Sequence, residues 1–253
     1  MALTDSPGRP LPGGFFPPVS CSLRRQALHC VSFPIPPYQQ VFPLEPIAVI
    51  DFETTGISPG QQGRATEIAA VLVEDGHIVA RYQSLMNAGV SVPPFIEALT
   101  GISTRMLREA PPAAQVMREV AAFVGDTPLV AHNAAFDQKF WDAELARIGL
   151  ARRQAFACSM LLSRRLLPDA PNHKLGNLTA WAQLPVTGQA HRALADAEMA
   201  ANLTTYLLDQ LQTRHRVAAP THSLLCALQR VPKARVGEFL RQQPGKSAPC
   251  RSR

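Results

Sequence analysis

Ile47-Ala48-Val49-Ile50-Asp51-Phe52-Glu53-Thr54-Thr55-Gly56 is the stretch on which the fold turns. Four apolar residues in a row, followed by a change to polar chemistry, read as a buried strand that ends at Asp51. Asp51 and Glu53 lie two residues apart, and strand side chains alternate, so both carboxylates face one side. Solvated acids on an exposed edge would need no partner, but the apolar run ahead of them marks this strand as central. Two like charges at the end of a central strand repel each other. A hard, oxygen-seeking cation such as Mg²⁺ or Mn²⁺ is the natural species to sit between them.

Outward from this stretch the pattern alternates. Thr66–Val73 and His77–Leu85 read as strands, with hairpin-turn chemistry at Glu74-Asp75-Gly76. Pro93–Leu99 and Thr104–Arg108 read as short helices, and Pro112–Val124 as a longer amphipathic one with proline at its start. Leu129–Ala131 is a short buried strand, Asn133–Ile148 a helix stopped by Gly149, Gln154–Ala157 a weak strand and Ser159–Leu167 a helix closed by Pro168. Leu175–Leu184 and Ala193–Leu211 complete the helices. Three strands first, then strands alternating with helices, predict an α/β sheet covered by helices with a hairpin on one side. No internal repeat is visible.

The flanks differ from this body. Residues 1–46 contain ten prolines and Gly13-Gly14 without any period, so residues 1–45 are expected to be a poorly ordered extension. Residues 46–212 form the expected domain, and residues 213–253 a basic tail with one short helix, Thr221–Gln229, and an apolar patch at 236–240. The net charge of +6 is unevenly spread. Residues 45–211 hold 13 Lys/Arg against 17 Asp/Glu, whereas residues 212–253 hold 9 against 1. An acidic body with a basic tail suits a carboxylate-rich metal site whose attraction for a polyanion comes from outside the core. Taken alone, a basic tail is better read as an aid to solubility. The five cysteines are odd in number and widely spaced, which argues against a disulfide framework and a zinc site. No apolar run approaches the ~20 residues of a membrane span, and the start, broken by Pro7, Pro10 and Pro12, lacks a secretory pattern. The expectation is a cytoplasmic protein that does not enter a membrane.

Two further motifs carry chemistry. His132-Asn133-Ala134-Ala135-Phe136-Asp137 follows a strand and opens a helix, which puts Asp137 about one turn in, facing the strand end. Alone, Asp137 reads as an acid favoured by the helix dipole, and Phe136 as core. His191-Arg192-Ala193-Leu194-Ala195-Asp196 places Asp196 in an Ala-rich helix that packs closely on a sheet, where a carboxylate is costly unless paired or metal-bound. His191, at the helix start or just before it, can reach a water as a general base, because an imidazole titrates near neutrality. Alone it reads as a surface histidine.

With DFETTG, HNAAFD and HRALADA in this order, the chain resembles the DEDD exonuclease superfamily, specifically its DnaQ-like members, over roughly residues 45–211. The His191-to-Asp196 spacing matches the histidine subclass. The tyrosine subclass would have Tyr where this chain has Arg192. The resemblance implies an RNase H-like fold, a mixed five-stranded sheet flanked by helices. It also implies two divalent ions, Mg²⁺ or Mn²⁺, held by Asp51, Glu53, Asp137 and Asp196, with Asp51 bridging both and His191 as general base. The implied activity is 3′→5′ exonucleolytic release of nucleoside 5′-monophosphates. Thr54, Thr55 and Gly56 would let backbone approach the terminal nucleotide, and Phe136 and Ile102 would pack against it. The likeness to polymerase III epsilon-type proofreading subunits favours a DNA 3′ end and a role in proofreading or repair. The flanking extensions suit tethering to a polymerase or another replication or repair protein. An exoribonuclease would share every catalytic residue. A non-catalytic nucleic-acid-binding subunit would be expected to have lost a carboxylate, and none is lost.

Overall fold

β1 (Ile47–Thr54) lies in the middle of a five-stranded sheet of order β3-β2-β1-β4-β5, in a computed structural model that describes residues 44–61, 63–186, 188 and 191–243. β2 (Ala65–Glu74) and β3 (His77–Leu85) run antiparallel beside it, while β4 (Leu129–Ala131) and β5 (Phe156–Cys158) run parallel to it on the other side. The hairpin turns on Asp75 and Gly76, both at positive φ (47° and 79°), the backbone that matches the right-handed strand twist.

β1 is longer than the sequence pattern indicates. β2 continues to pair with it at Phe52↔Ile68 and Glu53↔Glu67, whereas β4 pairs only at Ala48 and Val49. The last residues of β1 are therefore held on one side only.

Alternation divides the core in two. Ile47 and Val49 join Val71, Val130 and Ala157 on one face, beneath α7 (Ala193–Thr213). Ala193, Ala197, Ala200 and Ala201 of that helix are buried, and their small side chains let it lie close to the sheet. Ala48, Ile50 and Phe52 face the other way, against α3 (Ala113–Val124) and α4 (Ala135–Arg147). α5 (Ser159–Leu166) and α6 (Leu175–Trp181) flank α7. α1 (Pro94–Thr100) and α2 (Thr104–Glu109) enclose a small separate core of Val92, Ile102 and Leu107. No helix among the described residues is long and apolar enough to cross a membrane.

The expected boundaries need correction at both ends of the body. Residues 1–43 lie outside the described residues, but Leu44 and Glu45 already belong to the domain. Leu44 N donates to Asp75 Oδ1, and Glu45 Oε2 accepts from His222 N. The basic C-terminal segment is built into the core as well. α8 (His222–Leu228) and α9 (Val236–Arg241) bury Leu225, Leu228, Val236 and Leu240 on the α7 side. Gln229 occupies the open edge of β5: its Nε2 donates to Phe156 O at 3.0 Å, and its Oε1 accepts from Cys158 N at 2.7 Å. A side-chain amide thus takes the place of a neighbouring strand and closes an edge that would otherwise pair with another chain.

Gln229→Ala leaves both backbone groups of β5 without that partner. Urea denaturation is expected to show a loss of ~1–3 kcal/mol of stability, with the denaturant slope unchanged.

Candidate active site

The site begins where β4 stops. Asp137 is the third residue of α4, which starts from a tight turn with Asn133 at φ 66°. Its Oδ1 accepts a hydrogen bond from Phe52 N at 3.2 Å, so the carboxylate serves the part of β1 that β4 does not reach. Asp51 and Glu53 project from the same stretch toward the α7 face. Asp196, in the first turn of α7, completes the set, and its Oδ2 accepts from the backbone N–H of His191 at 3.0 Å. Glu53, Asp196 and the exposed His191 present ligand atoms all within 4.8 Å of one another. All five residues singled out for catalysis are thus gathered at one end of β1.

Their electrostatics explain what the cluster needs. Burial pushes the Asp51 carboxyl well above the usual range, and the charges of Asp137, Asp196, Glu53 and Glu67 push it further. Burial raises Glu53 to about 8, helped by Asp196, Glu67 and Asp137, while Arg192 pulls the other way. Burial raises Asp137 to about 7 against the hydrogen bond from Phe52, and raises Asp196 against the one from His191. Four carboxylates in a partly dry site cannot all ionise without nearby positive charge. An oxygen-rich donor set with one imidazole fits a hard divalent cation.

Glu67 is a site residue that the sequence reading passed over. It is 1% exposed and stands opposite Glu53 on β2. It accepts from Arg192 Nη2 at 2.9 Å, Arg192 Nε at 3.2 Å, Ala193 N at 3.1 Å and Gln83 Nε2 at 2.7 Å. This buried carboxylate fixes the start of α7 and with it the placement of His191 and Asp196. The available signal was an acid immediately before the apolar run Ile68–Val73 of β2. A second ion pair fixes the loop after β1. Arg64 holds Glu144 through Nε at 2.8 Å and Nη2 at 3.0 Å, and its backbone closes the loop onto Thr55. Gly63 is required there, because a Cβ would come within 2.7 Å of Ser58 O.

The expected substrate-contact residues divide. Thr54 is buried and donates from Oγ1 to Gly56 O at 2.7 Å, and the Thr55 hydroxyl accepts from Arg64 N at 3.0 Å. Both shape the loop with their side chains. Gly56 is partly exposed beside them, and the neighbouring Ile57 is 76% exposed. Phe136 is half-buried against Phe140, ring centroids 5.1 Å apart. Ile102 requires correction: its side chain is fully buried with Val92 and Leu107, because α1 and α2 have little other apolar surface to bury. The apolar side chains that this segment exposes are Phe95 and Leu99. Both ring nitrogens of His132 are engaged away from the acids. Nδ1 meets Ser159 Oγ at 2.9 Å and Nε2 meets His173 O at 3.1 Å, and burial lowers its pKa to about 4.

Comparison with known proteins matches residues 48–204 to a family model described as Exonuclease. The 3′-5′ exonuclease DinG of Bacillus subtilis is 38% identical over 168 residues, which is 65% of this chain and 18% of that protein. A PolC-type DNA polymerase III of Caldanaerobacter subterraneus is 33% identical over 164 residues, 65% of this chain and 12% of its own length. The match thus spans less than a fifth of either relative. Exonuclease X, solved in complex with 5′ overhanging duplex DNA, superposes with a TM-score of 0.53 at 30% identity, covering 64% of this chain and 91% of that one. Escherichia coli Exonuclease I in complex with a dT13 oligonucleotide gives a TM-score of 0.59 at 16% identity, covering 73% and 43%, a likeness of fold.

A carboxyl whose folded pKa is raised stabilises the fold while protonated. That contribution is complete below the unfolded value of ~4 and is lost as pH rises through about 7 for Asp137 and about 8 for Glu53. In a chelator, the melting temperature is therefore expected to fall as pH rises from ~5 to ~9. Asp51→Asn should reduce that fall. Added Mg²⁺ or Mn²⁺ should restore stability at the alkaline end for the wild type and much less for the variant, as read by scanning fluorimetry.

Proposed function

The chain belongs to the exonuclease family, a family of divalent-metal-dependent nucleases, and on that premise we propose that it is a 3′→5′ exonuclease that trims DNA ends to nucleoside 5′-monophosphates. The observation that carries this reading is the meeting of Asp51, Glu53, Asp137 and Asp196, from three separate segments of chain, beside the exposed His191. When bound, two Mg²⁺ or Mn²⁺ ions would supply the acidity that lowers the pKa of the attacking water and the charge that offsets the leaving oxygen. The four carboxylates are the groups that would hold them. His191 takes the proton from the water. The water oxygen bonds to the terminal phosphorus, the bond to the 3′-oxygen of the preceding nucleotide breaks, and that oxygen leaves with a proton from solvent. Arg192, anchored on Glu67, keeps the helix start in place while this charge develops.

Single-stranded or frayed ends suit this site, because the last nucleotide has to leave its stack to reach the acids. The exposed Ile57, in the loop that follows Glu53, offers an apolar surface for a base, next to the partly exposed Gly56. DNA is favoured over RNA by the similarity to DinG, to PolC-type polymerases and to Exonuclease X, the last solved on DNA. The similarity to part of PolC-type polymerases also supports work beside a polymerase or another replication or repair protein.

Oligomers of matched DNA and RNA sequence, labelled at the 5′ end and incubated with and without metal, test the proposal. The expected result is a metal-dependent ladder shortening from the 3′ end, faster on DNA, with 5′-monophosphates as product. His191→Ala is expected to lower kcat by ~10²–10⁴ with KM little changed. Binding of ends without mononucleotide release in either metal would favour a non-catalytic subunit and end the proposal.

A further inference from the structure

The basic C-terminal helices lie beyond the family match, which ends at residue 204, and the function proposed above does not use them. Three anchors set their placement. At the start of α8, His222 N donates to Glu45 and His222 Nε2 meets Leu129 O, near the beginnings of β1 and β4. At its end, Gln229 bonds to Phe156 and Cys158 of β5. α8 thus spans from the beginning of β4 to the outer edge of β5, where Phe156 pairs with Leu129. The next residue but one, Val231, accepts from Arg165 Nε at 2.8 Å, and the same guanidinium donates through Nη1 to Leu161 O in the first turn of α5, just past β5. The segment between α8 and α9 therefore lies toward the end of the sheet that carries the acids, on the α7 side to which Asp51 and Glu53 point.

A groove of about 320 Å³ opens there, lined among others by Arg230, Val231, Pro232, Arg235, Phe239 and the acidic Glu238. Arg230 and Arg235 are exposed, and Phe239 is half-buried. Arg235 is paired with Glu238 at 3.3 Å, but both are exposed, and such a pair contributes little. Two guanidinium groups beside an aromatic ring and an apolar floor are the chemistry that takes the phosphates and bases of an unpaired strand. The charge distribution favours the same occupant. Residues 45–211 carry a net −4, which repels a polyanion, whereas residues 212–253 carry nine basic side chains against one acid.

We propose that this groove is a second binding site for single-stranded nucleic acid, holding the strand upstream of the end that enters the acidic cluster. The proposal rests on the exonuclease reading for its direction but not for its existence. Two strand spacings of ~4.8 Å from β1 to β5 and ~10 Å more to a packed helix place the groove ~20 Å from the acids. A strand rising ~3.4 Å per nucleotide covers that in about six nucleotides.

The test uses full-length protein carrying Asp51→Asn, so that binding is read without cleavage, and 5′-fluorescein oligothymidylates of about four and about sixteen nucleotides. With Arg230→Glu and Arg235→Glu together, anisotropy is expected to show Kd for the longer oligomer raised at least tenfold, and the slope of log Kd on log salt reduced by about 2. The shorter oligomer should bind as before. In the active protein the same pair of substitutions should raise KM on the longer oligomer and leave kcat unchanged. Phe239→Leu, which keeps an apolar side chain against the core, should weaken only the longer oligomer. Unchanged affinity for the longer oligomer overturns the proposal and points to a protein as the occupant. Equal loss on both lengths also overturns it. Cleavage of the shorter oligomer by the wild type reports on the exonuclease reading separately, so the two can fail independently.

Discussion

The withdrawal of four neighbouring carboxyls from water is the constraint around which this protein is organised. The acids meet because β4 ends early and leaves the tip of β1 half-paired, and because Asp137 takes over one of the hydrogen bonds left open there. A sheet in which β4 ran two residues further would have closed that gap with backbone. Cluster and fold are thus two aspects of one truncated strand pairing. Burial holds all four carboxyls above their usual range, and a cation among them would offset that cost.

Around that cluster the molecule holds its geometry with ion pairs that are themselves satisfied. Glu67 grips Arg192 and the first backbone N–H of α7, and Glu144 grips Arg64 behind the loop after β1. Each buried acid has its charge matched and its oxygens hydrogen-bonded, the condition under which a buried ion pair is tolerable. Asp137 and Asp196 differ from these ion-paired acids in that the hydrogen bonds they accept come from the backbone N–H groups of Phe52 and His191.

The C-terminal helices belong to the same economy of edges. A parallel sheet ending in a short strand exposes backbone groups, and Gln229 occupies those of β5 with one side-chain amide. The cost of ordering this segment is offset by the burial of Leu225, Leu228, Val236 and Leu240. The outcome is a basic, partly aromatic surface fixed to an acidic body, where a loose tail would have averaged its charge over many positions.

From the amino-acid order alone, the period of the apolar residues established the strands, the helices and their sequence of types, and the three short motifs picked out the acids and the histidine that the fold brings together. These are local properties: a side chain's face is set by its place in a repeat of two or of 3.6. Partnership over long distances had no such signature. Glu67 meets Arg192 across 125 residues, and Gln229 meets Phe156 across 73. The family resemblance implied Ile102 as a contact residue, yet it is buried with Val92 and Leu107. Only the tertiary structure decided these, because the cost of a buried charge, an open strand edge or an exposed apolar side chain is met by whichever group the fold brings near, and local spacing does not encode that choice.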